Sequence, residues 1–300
     1  MKSTPGLPNA RSLSLRGFSA GFGALAALGS AAAAWADEVH YSAPGQVGLQ
    51  EPLSPIAREM HFFHNGILLP LITAICLFVL ALLIYVMVRF NERAHPTPSR
   101  TTHNAPLEVA WTVLPVLILV IIAVPSFRLL NHQMILPKGD VTVKVTGKQW
   151  YWSYEYPKDE GGGFSFDSVM KPESDLKPGD IRLLSVDNEA VVPVNKNIIL
   201  QITGADVIHS FIIQSFNVRM DAMPGRMNLA WFRADKEGLY YGQCSKLCGK
   251  DHAYMPIAFR VVSEDAYKAW LADSQKKFAA HDPAAPNKTR LAAADPSASR

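Results

Sequence analysis

The chain is expected to be a membrane-anchored all-β protein. Two observations carry this expectation: two long uncharged apolar runs in the first half and, after them, short β-branched and aromatic segments separated by Gly, Pro and Asp clusters. Composition agrees. Of 300 residues, 49% are hydrophobic and 18% charged, which excludes a disordered or collagen-like polymer. The mean hydropathy of +0.07 is high for a soluble protein and comes from apolar residues gathered in blocks. The formal net charge of +3 equals the contribution of Lys2, Arg11 and Arg16, all ahead of the first acidic residue, Asp37. Loss of that leader leaves a formally neutral chain, so charge gives no reason to expect nucleic acid as a partner. Three cysteines cannot build a disulfide framework.

Residues 1–36 combine a basic start, an apolar stretch from Gly17 to Ala34 and the small-x-small ending Ala34-Trp35-Ala36, the layout of a cleaved secretory signal peptide; a first transmembrane helix is the alternative. A segment over 37–66, outside the cytoplasm, leads to a transmembrane helical hairpin over 67–130. Its two runs, Ile67 to Val88 and Trp111 to Phe127, carry no charge and are long enough to cross a bilayer. Pro70, Pro115 and Pro125 are tolerated better there than in soluble helices, and Cys76, with no polar neighbour, reads as packing. Arg89, Arg93 and Arg100 between the runs give a positive-inside signal, so the rest of the chain is placed outside. Over 131–272 the segments Val141 to Val145, Ile181 to Val186, Ile198 to Ile202, His209 to Ile213 and Ala258 to Val262 read as strands of a sandwich or barrel. Glu264 to Lys277, after a Ser263 cap, fits a closing amphipathic helix. The domain boundary is set at 272, with 273–300 as a tail whose Ala-, Pro-, Asp- and Ser-rich end, from Ala279, suits disorder.

The chemistry is concentrated in one stretch. Cys244, Cys248, His252 and Met255 lie close together in sequence, and His209 opens an earlier strand. Thiolate and thioether beside imidazole select copper over magnesium or calcium, and zinc has no comparable need for a thioether. If both sulfurs bridge two coppers, each taking one histidine and one weak axial donor, the count closes at four ligands per metal, with Met255 and a backbone carbonyl as the axial pair. The alternative is a Cys244–Cys248 disulfide in an oxidising compartment, with His252 and Met255 as filler.

The run Gly242-Gln243-Cys244-Ser245, Cys248-Gly249, His252, Met255-Pro256 resembles the copper loop of the cytochrome c oxidase subunit II family. Agreement extends from about Leu53 to Trp270, through Pro106-Leu107-Glu108 with Trp111-Thr112, Gly147 to Tyr156, Val207 to Ser210 and Asp221 to Arg226. The resemblance implies a two-helix transmembrane hairpin followed by a cupredoxin-like Greek-key β-barrel on the periplasmic side of a bacterial inner membrane. It implies a binuclear copper centre that takes electrons from cytochrome c and passes them to the haem-bearing catalytic subunit I, where dioxygen is reduced to water with proton pumping. Subunit III and membrane lipid are the other implied neighbours. The implied copper ligands are His209, Cys244, the backbone carbonyl of Lys246, Cys248, His252 and Met255.

Other roles follow from the same resemblance. Trp150 would take up electrons at the docking surface; strict alternation along Trp150, Trp152, Tyr154 and Tyr156 puts all four on one strand face, where core packing is the alternative, unless a strand end or bulge turns Trp150 outward. Glu155, Asp187 and Asp206 would line a docking patch for a lysine-ringed cytochrome c, and singly they are ordinary solvated carboxylates. Glu108 would stand at the mouth of a proton-uptake path; equally, a carboxylate in the first turn of a helix complements the dipole. Lys246 departs from the family, whose residue there is a glutamate that helps hold an interfacial magnesium or manganese ion. An ammonium has no lone pair for a hard cation, so a weakened, rebuilt or absent ion site is expected; the alternative is that water or a neighbouring carboxylate such as Asp221 fills the vacancy. Rival readings are a quinol oxidase subunit, which lacks these copper ligands, a membrane-tethered copper-binding or assembly protein, and a nitrous oxide reductase, which lacks the helical hairpin.

Overall fold

The structure, a computed structural model, describes residues 40–278; the expected signal peptide and the tail beyond Ala279 lie outside the described residues. Helix α1 runs over Pro55–Arg89 and α2 over Ala105–Met134. Both outrun the uncharged stretches. Helix α1 starts early because Ser54 caps it, its hydroxyl accepting from the Ala57 N–H, with Pro55 in the first turn. This polar first part docks on the β-domain: Ile56 and Ala57 are buried, the Ser54 hydroxyl donates to the Phe216 carbonyl, and Arg58 pairs with Asp235. From Phe62 to Leu68 the helix is π-helical, the Leu69 N–H bonding the His64 carbonyl; Pro70 follows, with no N–H of its own to give. Helix α2 is capped by Asn104, which accepts from the Leu107 N–H, while the Glu108 carboxylate accepts from the Asn104 N–H. No residue of α1 beyond His61, or of α2, is buried. Cys76 is exposed and is not part of the buried core among the described residues.

The β-domain is built of two five-stranded sheets. The first has the order β3-β2-β1-β5-β8 and the second β4-β10-β9-β6-β7. The strands are β1 Val141–Lys148, β2 Tyr151–Tyr156, β3 Phe164–Ser168, β4 Ala190–Pro193, β5 Ile198–Gly204, β6 His209–Ile213, β7 Val218–Ala222, β8 Asn228–Phe232, β9 Gly238–Cys244 and β10 Pro256–Val262. Strands β1/β5 and β4/β10 pair in parallel and the rest antiparallel. A Gly204–Pro224 bridge links the sheets along one side. Strict alternation in β1 and β5 puts Val141, Val143, Val145, Ile198, Leu200 and Ile202 inside. They meet Phe211, Phe259 and Ile257 from the other sheet in one continuous core.

Three expectations are corrected. Ile181 to Val186 is not a strand: Arg182 to Leu184 form a turn, Leu183 has φ +69°, and only Val186 makes an isolated bridge, to Met170. Local bonds win over β propensity there, because the Ile181 carbonyl accepts from both the Leu184 and Ser185 N–H groups. Trp150 is not on the shared face: β2 begins at Tyr151, so Trp152, Tyr154 and Tyr156 point into the core while Trp150 sits in the turn before the strand. The boundary at 272 is also moved. Helix α3 spans Glu264–Phe278, the Ser263 hydroxyl accepts from the Ala266 N–H, and Phe278 stacks on Phe166 at 4.9 Å, so residues 273–278 are part of the packed domain.

Candidate metal centre

The copper-loop residues converge at one end of the second sheet. His209 is the first residue of β6 and Cys244 the last of β9, and the register pairs Phe211 with Cys244. The loop after β9 brings back Cys248, a single turn over His252–Tyr254 follows, and Met255 precedes β10. His209, Cys244 and Cys248 are buried, and their donor atoms lie within 4.8 Å of one another. The two sulfurs are 3.9 Å apart and both thiols are free. The Cys248 sulfur is 3.5 Å from His252 Nδ1 and 3.6 Å from the Met255 sulfur; the Cys244 sulfur is 3.3 Å from the Lys246 carbonyl oxygen. The other four donors expected from the family resemblance, on His209, Lys246, His252 and Met255, therefore surround the two cysteine sulfurs.

The surroundings hold this arrangement in place. Asp206 Oδ1 is 2.9 Å from His209 Nε2, which leaves His209 Nδ1 buried and without a hydrogen-bond partner. A buried imidazole nitrogen aimed at two thiols suits a metal ligand. Soft sulfur, imidazole and thioether donors fit copper. Trp150 Nε1 and Gln149 Nε2 both donate to the Cys248 carbonyl, each at 3.1 Å, and Trp152 Nε1 donates to the Met255 carbonyl at 3.2 Å. Two glycines allow the close approach: a Cβ on Gly147 would meet the His209 ring at 2.9 Å, and one on Gly249 (φ +125°) the Trp150 ring at 2.8 Å.

The two thiols are driven apart in acidity. Burial alone would raise Cys244, but the neighbouring His209 imidazole, with the Ser210 backbone, the Lys246 backbone and His252, brings it down to about 6. Burial and the charge and hydrogen bond of Cys244 push Cys248 up to about 12. One negative charge on the pair of thiols is thus favoured and a second opposed, because two thiolates this close repel. A positive ion between them removes that opposition.

The remaining candidates are scattered. Asp206 is part of the cluster, its Oδ1 also accepting from the Val207 N–H and its Oδ2 from the Gln149 N–H. Glu155 is on β2, paired with Lys144 at 2.8 Å. Asp187 lies in the β3–β4 loop, accepting from the Val169 and Asn188 N–H groups; burial, the largest influence, holds its carboxyl above the usual range. Glu108 is in the first turn of α2. Lys246 is exposed. Gln149, Gly147 and Gly249 escaped the sequence reading; the run Gly147 to Tyr156 matched the family, but only the fold shows that its first residues press on the loop.

The fold and site together define a class: a membrane-anchored double-sheet domain carrying a built site for soft metal ions. Residues 141–262 match the periplasmic domain of cytochrome C oxidase subunit II, and residues 42–129 match its transmembrane domain. A probable cytochrome c oxidase subunit 2 from Rickettsia bellii is 50% identical over 233 residues, 78% of this chain and 86% of the relative. Cytochrome c oxidase subunit 2 of Cereibacter sphaeroides is 48% identical over 243 residues, 76% of this chain and 80% of the relative. The crystal structure of the periplasmic domain of subunit II of cytochrome oxidase from Bradyrhizobium japonicum is 58% identical and covers 48% of this chain and 99% of its own, with a TM-score of 0.45. The chain belongs to the cytochrome c oxidase subunit II family, a subunit of an oxidoreductase complex, with a two-sheet β-domain behind a helical hairpin.

Proposed function

We propose that this chain is the electron-accepting subunit of a respiratory cytochrome c oxidase, receiving electrons from a c-type cytochrome at the Trp150 face and delivering them to a haem-bearing catalytic subunit. The observation that carries the reading is the convergence of His209, Cys244, the Lys246 carbonyl, Cys248, His252 and Met255 on one buried pair of sulfurs. Those six groups would hold two copper ions, which when bound supply reversible one-electron chemistry. Asp206 fixes the His209 ring, and Trp150, bonded to the Cys248 carbonyl, gives the surface a direct covalent and hydrogen-bonded path to a ligand residue. A rigid β frame keeps donor positions nearly constant between redox states. Haem and the oxygen site belong to the partner subunit, since two helices cannot enclose them. The hairpin over 67–130 spans the bacterial inner membrane behind a cleaved leader, the β-domain is periplasmic, and Glu108 stands where protons are drawn toward the catalytic subunit.

Metal analysis and EPR of the purified full chain test this reading. Two coppers per chain are expected, with a hyperfine pattern shared over both; Met255→Leu should keep most of the copper and shift the potential, whereas Cys248→Ser should lose the pair. One copper with a mononuclear pattern, or a Cys244–Cys248 disulfide after copper addition, would overturn it. Lys246 supports a second expectation, because its exposed ammonium cannot ligate a hard cation. Complex from manganese-grown cells should hold less tightly bound manganese, by EPR, than its Lys246→Glu variant.

A further inference from the structure

The start of α1 grips one end of the β-domain. Leu53, just ahead of the helix, donates its N–H to the Ser215 carbonyl at 2.8 Å, and its carbonyl accepts from the Asp235 N–H at 3.0 Å; its side chain is buried in the domain's core. The Ser54 hydroxyl donates to the Phe216 carbonyl at 2.9 Å, and one turn later the Arg58 guanidinium pairs with the Asp235 carboxylate. The segments gripped are tied to each other, because the Phe216 ring stacks on Phe232 at 4.5 Å and lies 4.4 Å from the Tyr240 ring. Helix α2 reaches the same place. Gln133 Nε2 donates to the Asn217 carbonyl at 3.1 Å, and His132 Nδ1 stands 2.9 Å from Glu59 Oε2 on α1.

What α1 holds is the far end of the strands that carry metal-site residues. Ser215 and Phe216 follow β6, whose first residue is His209, and Asp235 precedes β9, whose last residue is Cys244. Strand β6 has five residues and β9 seven, so at about 3.3 Å per residue the grip and the metal centre stand at opposite ends of rods roughly 13 and 20 Å long. A hydrogen-bonded sheet packed on a core bends little, so a tilt at the grip reappears as a displacement of the copper loop. Electron transfer between fixed centres slows steeply as they separate, and misplacing a reacting group by about 1 Å can cost up to about a hundredfold in rate. Resting on the electron-accepting reading, we infer that Arg58 and Asp235 are positioning residues, a clamp that holds the copper loop at a set height over the hairpin and thereby sets the rate of onward transfer to the haem-bearing subunit.

A partly exposed ion pair contributes little to stability, so reversing it probes placement rather than folding. The variants are Arg58→Glu, Asp235→Arg and the double Arg58→Glu/Asp235→Arg, each with the copper absorption confirming an intact site. Geometry is read on the copper-loaded full chain by pulsed EPR, as the distance from copper to a nitroxide on Cys76, an exposed thiol of α1 about 27 Å along the helix from Arg58. One narrow distance is expected in wild type, a broadened or shifted one in each single variant, and recovery in the double. Function is read on the purified oxidase complex by time-resolved absorption, with reduction of copper by a c-type cytochrome and its reoxidation by haem followed as separate steps. The singles should slow the second step about three- to tenfold and leave the first unchanged, and the double should regain most of the loss. Wild-type distances in both single variants would overturn the inference, even where a variant fails to assemble into the complex. Equal slowing of both steps, or a loss that the double does not recover, would overturn it as well. If copper in the wild-type complex takes no electron from the cytochrome, the electron-accepting reading itself fails, and this failure is distinct because the distances do not depend on it.

Discussion

The hairpin and the β-domain are equally apolar in places but treat their apolar side chains in opposite ways. Phe78 on α1 is 62% exposed and Leu119 on α2 65%, whereas Phe211 and Phe259 in the β-domain are fully buried. In water the first arrangement would be untenable. It becomes reasonable where the surroundings are lipid or another helix, since side chains there need no core of their own and the helical backbone satisfies its own hydrogen bonds. The β-domain must make its own interior, and the same packing that stabilises it also sets the metal site. The difference shows that the hairpin's stability resides in its environment, while the site's geometry resides in contacts between segments far apart in sequence.

Truncation should separate the two regions most sharply. Phe259 touches Tyr154, Phe211 and Phe232 edge-on, so Phe259→Ala should destabilise the β-domain by about 3–5 kcal/mol, whereas Leu119→Ala should change it by less than about 0.5 kcal/mol. Denaturant unfolding of the full chain in detergent, followed by tryptophan fluorescence, measures both; comparable losses would mean that the hairpin and β-domain share one core. A smaller effect contrasts two glycines. Gly249→Ala should push the Trp150 indole off the Cys248 carbonyl and slow electron uptake about ten- to a hundredfold with copper retained, while Gly66→Ala, whose Cβ would meet only the Phe62 ring at 3.5 Å, should leave stopped-flow rates unchanged. Equal rates in both variants would remove the tight coupling of Trp150 to the loop.

The smallest effect concerns charge at the domain's rim. Burial holds the Asp187 carboxyl above its usual value of 3.8, so its ionisation opposes folding at neutral pH. Asp187→Asn, which keeps an acceptor for the Val169 N–H, should stabilise the β-domain only slightly at pH 7, because solvent reaches this exposed side chain and screens its charge. The gain should vanish as pH falls through the raised folded value toward 3.8, because both proteins are then neutral at this position. Thermal melts from pH 3 to 8 would show it, and a difference that grows on acidification would reverse the sign assigned to Asp187.

Much of this molecule was legible without its structure, and the reason is physical. Uncharged runs such as Ile67 to Val88 declare helices because lipid leaves the backbone no other choice. The segments with alternating or β-branched texture, Val141 to Val145 and His209 to Ile213, are legible as strands for the same local reason, although the first runs on to Lys148. The thiols, imidazoles and thioether announced a soft metal because donor chemistry belongs to the residue and not to its place. Ile181 to Val186 misled because its texture is that of a strand while its bonds close on themselves. What only the tertiary structure decided was where side chains of distant segments meet: Asp206 on His209, Gln149 and Trp150 on the Cys248 carbonyl, Gly147 and Gly249 giving way to rings, Lys250 over Trp150. Such contacts depend on strand register and the pairing of two sheets, which are set by the packing of the whole core and leave no periodic trace along the chain.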